Sequence, residues 1–152
     1  MLVAAPETIA SADIRALLSR HFGLMRAHSP ISSCHVMEPE ELLDAGAELM
    51  AVRQGDALLG VGALREIDPQ HGELKSMHTA AEARGQGVGQ TVLDALMTRA
   101  GEKGFTRVSL ETGTIDLFAT ARALYRRNGV VECPPFGSYV LDPLSVFMTR
   151  TL

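Results

Sequence analysis

Basic residues do not dominate this sequence. It carries 14 Lys and Arg against 18 Asp and Glu, for a net charge of −4 and a pI near 5.7. A domain that works on a nucleic-acid backbone is usually basic, so no nucleic-acid partner is expected. Long apolar runs are also missing. Nothing approaches the roughly 18 consecutive apolar residues that a membrane-crossing helix needs, so no membrane partner is expected. Met1–Pro6 has neither a charged start nor an apolar stretch of signal-peptide length, and no secretory leader is expected. There are only two cysteines, Cys34 and Cys133, too few for a disulfide framework or a four-ligand cysteine zinc motif. A reducing cytoplasm is the default location. Repeats, low-complexity tracts and Gly/Ser linkers are absent, which predicts one domain over residues 1–152. What is there is ordinary: 46% hydrophobic and 21% charged residues. That balance excludes a disordered tail, a collagen-like fibre and a coiled-coil rod. A chain of 152 residues is long enough to bury a core without staples.

Periodicity supplies the elements. Residues 2–5 read as a short strand. Ile14, Leu17, Leu18, His21, Phe22 and Met25 form one apolar stripe and predict a helix over 11–27, broken by His28-Ser29-Pro30. A loop follows over 29–37, and Glu38-Pro39 opens a short helix over 38–44. Segments 47–53 and 57–66 flank a glycine turn. Segment 73–79 follows a second turn at 68–72, which suggests an antiparallel meander. Val88, Val92, Leu93, Leu96, Met97 and Ala100 predict a helix over 87–103, ended by Gly104. A strand over 106–112, a helix over 116–128 and short strands near 130–133 and 145–151 complete the chain. The predicted class is α+β with a mixed, mostly antiparallel central sheet flanked by helices.

One motif carries chemistry. Arg84-Gly85-Gln86-Gly87-Val88-Gly89 lies between the 73–79 strand and the 87–103 helix. Glycines permit positive φ and close backbone approach. A helix's first turn presents unpaired N–H groups and the positive end of its dipole. Together these bind a phosphate or pyrophosphate, and Arg84 adds a cation. The segment lacks the Lys-Ser/Thr ending of a Walker loop. It also lacks the spacing and the leading parallel strand of a dinucleotide fold.

This constellation resembles the GNAT superfamily of acyl-CoA-dependent N-acetyltransferases. The glycine segment matches the family's [QR]-x-x-G-x-[GA] signature in full, and Glu73–Thr79 matches its fourth strand. Ala121-Arg122-Ala123-Leu124-Tyr125-Arg126-Arg127-Asn128-Gly129-Val130 resembles its A-x-x-L-Y-x-x-x-G-F helix. The strings His28-Ser29-Pro30, Ser109–Gly113 and Ser145–Met148 are similar to a bacterial branch typified by the YsnE-type acetyltransferases. The resemblance implies acetyl-CoA as co-substrate and no metal. It implies backbone contacts from Met77, His78 and Thr79 to the pantetheine arm. Pyrophosphate contacts would come from Arg84, Gly85, Gln86, Gly87, Val88 and Gly89. Tyr125 would be the general acid beside the cofactor sulfur. Phe118 stands where many members have an asparagine, and Val130 where they have an aromatic residue.

Transfer to an amine also needs a base, because a lysine-like amine is mostly protonated at neutral pH. Glu73, on the strand before the glycine segment, and Glu111, on the strand after it, are both candidates. The loop carrying His28, Ser29, Cys34 and His35 falls where the family places its acceptor site. Of these, His28, Ser29 and His35, with Glu111 and Phe136, are the candidate acceptor contacts. The two histidines and Cys34 have no regularly spaced fourth ligand and read as pocket residues before zinc ligands. His78 alternates with Met77 and Thr79, so its side chain belongs to the sheet's other face as a packed or surface group. Arg122, Arg126 and Arg127 form a solvated face or reach toward phosphates. The expected activity is acetyl transfer to a small-molecule amine, with a homodimer as a possible assembly. Acetylation of a protein amine and a non-catalytic acyl-CoA sensor are the competing readings.

Overall fold

The computed structural model describes residues 2–30 and 33–152; Ile31 and Ser32 of the predicted 29–37 loop lie outside them. Seven strands make one sheet in the order β1-β2-β3-β4-β5-β7-β6. They are β1 (Ala4–Glu7), β2 (Glu48–Gln54), β3 (Ala57–Asp68), β4 (His71–Thr79), β5 (Arg107–Gly113), β6 (Val131–Glu132) and β7 (Ser145–Thr151). The helices are α1 (Ala12–His28), α2 (Pro39–Asp44), α3 (Val88–Glu102) and α4 (Ala119–Arg127). This is the predicted α+β class, with boundary shifts that have local causes. β1 runs through Pro6 instead of stopping at residue 5, because an edge strand tolerates a missing N–H. The predicted 116–128 helix is a 3-10 turn over Asp116–Phe118 followed by α4.

β2 and β3 join through Gly55-Asp56, with Gly55 at φ 60°. Glycine at the first central position suits a two-residue hairpin turn. Helix α3 buries Val88, Val92, Leu93, Leu96 and Ala100 on one stripe. Added Cβ atoms at Gly60 and Gly62 of β3 would strike Val88, Val92 and Leu96. Those β3 positions therefore face α3, and the alternate ones, Val61 and Ala63, face the opposite layer. His78 pairs with Val61 and Lys75 with Ala63, so both belong to that opposite face. There His21 of α1 meets His78.

Every neighbouring pair is antiparallel except β4 and β5. Those two pair in parallel only at His71, Gly72 and Glu73 with Arg107, Val108 and Ser109. Beyond that, β3 holds β4 as far as Thr79 and β7 holds β5 as far as Gly113, with no bridge between the two strands. A bulge in β4 accompanies the parting: two steps of β3, Val61 to Ala63, face three of β4, Lys75 to His78. Ser76 inside it has φ 54°, a left-handed value for a residue with a side chain. Bulges bend a strand and re-aim its side chains. This one puts Lys75 and His78 on the same face, which strict alternation forbids.

Candidate active site

The parting of β4 from β5 opens a cavity of about 640 Å³ that continues under the first turn of α3. At the α3 end it is lined by Arg84, Gly85, Gly87, Val88 and Gly89. Gly85 and Gly87 have φ of 78° and 82°, values that glycine adopts without the Cβ penalty. Gly87 is the N-cap and supplies no side-chain acceptor. The first N–H to bond back is that of Thr91, to the Gly87 carbonyl. The amides of Val88, Gly89 and Gln90 therefore have no intrahelical partner. Arg84 and Arg127 add positive charge to the lining, so this end fits a pyrophosphate by both donors and charge. Gln86 is exposed and does not line the cavity. Of the three arginines singled out in α4, Arg127 alone lines it. Arg122 donates to the Gly113 and Ile115 carbonyls, and Arg126 pairs with Glu132.

The middle of the cavity runs between the parted strands. Met77, His78 and Thr79 line one side, with Thr112 and Gly113 on the other. A Cβ at Gly113 would collide with the Phe118 ring, so glycine here lets that ring close over the strand end. Tyr125 also lines the cavity and is buried, 5% exposed. Burial holds its phenol well above the ordinary range, because the phenolate would lose hydration. The hydroxyl is a proton donor throughout the physiological range.

The far end contains Ser29, Ser33, Cys34, His35, Lys75 and Glu111. Glu111 is largely buried, and desolvation pushes its carboxyl up to about 7. One oxygen accepts a hydrogen bond from the Ser145 hydroxyl at 2.7 Å. A carboxyl that titrates near neutrality, inside a cavity, is suited to taking up a proton. Glu73 differs. It is 1% exposed and is not part of the lining. Arg65 Nε donates to Oε1 at 2.8 Å, the Tyr139 hydroxyl donates to Oε2 at 2.5 Å, and Lys75 Nζ lies 3.5 Å away. Both oxygens are committed to a buried ion cluster, so Glu73 is placed to hold β3, β4 and the β6–β7 connection together rather than to reach an acceptor.

His28 is exposed at the end of α1 and Phe136 packs among His71, Tyr139 and Phe147; neither lines the cavity. Ser29 and His35 do. Lys75 and Ser76 escaped sequence reasoning. Lys75 donates to the His35 carbonyl and the Tyr139 hydroxyl, both at 3.0 Å, and so ties the covering segments to β4. The available signal was a lysine two residues after Glu73, on a strand that borders the glycine segment. Ser76 carries a buried hydroxyl with no partner among the described residues, and nothing in the sequence marks the bulge that puts it there. His21 and His78 also line the cavity, their Nδ1 atoms 3.0 Å apart. Burial lowers His21 to about 3 and His78 to about 4. Both rings are neutral at pH 7, one Nδ1 donating to the other.

Residues 12–130 match the Acetyltransferase (GNAT) family. The chain belongs to that family. It is 40% identical over 140 residues to the uncharacterized N-acetyltransferase YsnE of Bacillus subtilis, covering 92% of this chain and 93% of YsnE. It is 37% identical over 139 residues to the uncharacterized N-acetyltransferase YedL of Escherichia coli, covering 91% and 87%. Among solved structures, an acyl-CoA N-acyltransferase assignment from Klebsiella pneumoniae superposes with a TM-score of 0.80 at 28% identity, over 100% of this chain and 98% of that one. As a GNAT acetyltransferase the protein is an acyltransferase, and its unpaired α3 amides and parted strands are the features a CoA-type ligand requires. No helix among the described residues is long and apolar enough to cross a membrane.

Proposed function

We propose that this protein transfers the acetyl group of acetyl-CoA to the amine of a small molecule in the cytoplasm. The observation that carries the choice of acceptor is the covering of the Glu111 end. Ser33 Oγ donates to Asp142 Oδ2 at 2.6 Å, and the His35 ring packs edge-on against Tyr139 with centroids 5.0 Å apart. Segment 33–36 and the β6–β7 connection thus meet over the cavity, which suits a small acceptor better than a protein chain in an open groove. The free cysteines fit a reducing compartment.

Acetyl-CoA supplies an activated thioester carbonyl. The chain supplies the rest. The α3 amides with Arg84 hold the pyrophosphate, and the unpaired β5-facing backbone of β4 around Met77 binds the arm and polarises the carbonyl. Glu111 accepts the proton from the attacking amine as the C–N bond forms. Tyr125 donates its proton to the sulfur as the C–S bond breaks.

The test mixes purified protein and acetyl-CoA with amines, amino acids and short peptides and follows free thiol. Turnover with a small amine supports the proposal; turnover with peptides alone replaces it with protein acetylation. Tight acetyl-CoA binding without turnover supports a sensor. With an acceptor in hand, Tyr125→Phe is expected to lower kcat about 100- to 10,000-fold, the usual range for losing a general acid, with the KM for acetyl-CoA little changed. A wild-type rate would remove Tyr125 from the mechanism.

A further inference from the structure

We propose that Ser145 is a positioning residue for Glu111: its hydroxyl fixes one carboxylate oxygen so that the other is left to take the acceptor's proton. The inference rests on Glu111 acting as base. Ser145 does not line the cavity and would act only through the carboxylate.

The geometry is specific. Ser145 opens β7 opposite Gly113, and Phe147 stands opposite Glu111. Ser145 Oγ donates to Glu111 Oε2 at 2.7 Å. Oε1 of Glu111 has no hydrogen-bond partner among the described residues. The serine itself is held firmly. Its N–H donates to the Asp142 carbonyl at 3.1 Å, the Leu144 N–H donates to Asp142 Oδ1 at 2.8 Å, and the Thr114 N–H donates to the Leu144 carbonyl at 3.2 Å. The same Asp142 accepts from Ser33 of the covering segment. A turn anchored on both sides therefore aims one hydroxyl at the candidate base.

Such a bond does two things. It restricts the carboxylate to one orientation, and it favours the charged form over the protonated one. The other groups around Glu111 are Lys75 and Glu73 of β4 and Asp142 and Tyr139 of the β6–β7 connection. Lys75 also favours the carboxylate, whereas Glu73 and Asp142 oppose it. Ser145 is the neutral contributor, so it can be removed without changing the net charge of the site.

The experiment is the pH profile of kcat/KM for wild type, Ser145→Ala, Ser145→Thr and Glu111→Gln, with thermal unfolding to verify folding. The expected result for Ser145→Ala is an acidic limb moved up by about one pH unit, as losing a hydrogen bond to a charged group implies. Activity at pH 7 then falls several-fold while the KM for acetyl-CoA stays unchanged. Ser145→Thr keeps a hydroxyl and is expected to return the limb toward its wild-type position. A purely structural serine would change stability and leave the limb alone. If Glu111→Gln loses the limb but Ser145→Ala keeps it at the wild-type pH, the positioning role is overturned and Glu111 stands as base. If Glu111→Gln itself keeps the wild-type limb, the base assignment fails, and the role of Ser145 fails with it.

Discussion

Glu73 and Glu111 are the same residue type on neighbouring strands, and their surroundings give them opposite characters. Glu73 is saturated by Arg65, Lys75 and Tyr139. Glu111 has one neutral donor, Ser145, and a desolvated setting that raises its carboxyl from 4.5 to about 7. That difference is readable in stability. Between those two pH values the folded protein holds a proton that the unfolded chain has released. The favourable contribution is complete below pH 4.5 and is lost as pH rises through 7. Glu111→Gln has no such loss. Its stability relative to wild type, followed by thermal unfolding, is expected to grow from pH 5 to pH 8, toward a limit of about 3 kcal/mol. Parallel midpoints across that range would mean that Glu111 titrates as an ordinary carboxyl. Both glutamates were visible as candidates in the sequence, but the choice between them was not. Tyr139 and Ser145, which distinguish them, come from the distant β6–β7 connection and the strand it leads into.

At the scale of elements, what the sequence made legible was local and periodic. The α3 stripe, its Gly104 stop and the glycine-rich entry all follow from residue spacing, and each is where spacing put it. The short parallel contact of β4 with β5 was not legible as a register, because alternation within a strand does not specify its neighbour's direction. The β4 bulge was also hidden, and it brings Lys75 and His78 onto one face. There His78 meets His21, and the contact joins α1 to β4 through two neutral imidazoles. Both rings bind protons less readily when folded, at about 3 and about 4 against 6.5 in the unfolded chain. Their contribution is complete above pH 6.5 and is lost as pH falls toward those folded values. His21→Gln removes one titrating ring while keeping a polar side chain. It is expected to lose less stability than wild type between pH 7 and pH 5, as measured by urea unfolding at each pH. An equal or greater loss would show that the pair does not set the acid sensitivity of the α1–β4 contact.

At the scale of the molecule, a chain of net charge −4 concentrates donors and cations at one end of one cavity. Arg84, Arg127 and the free amides at the start of α3 offset an overall charge that would repel a polyphosphate. The cradle was legible because most of its parts, Arg84 and the start of α3, are contiguous in sequence; Arg127 joins them from α4. The acceptor end was less so, being assembled from α1, segment 33–36, β4, β5 and the β6–β7 connection. Binding at the cradle must stabilise the whole fold by linkage, since the unfolded chain has no such array of amides. Acetyl-CoA at about 100 times its own Kd is expected to add about 2.7 kcal/mol. For a domain of this size, that corresponds to a rise in Tm of roughly 5–10 °C. Gly87→Ala tests whether the cradle is the source. Gly87 has φ 82° with nothing within 4 Å of an added Cβ, so the variant has room for its methyl but must strain or shift the backbone, at a cost of about 1 kcal/mol. Its unliganded Tm is expected to fall by only a few degrees, while its response to the same acetyl-CoA concentration shrinks much more. A variant with the wild-type response would place the ligand's main anchorage elsewhere in the cavity.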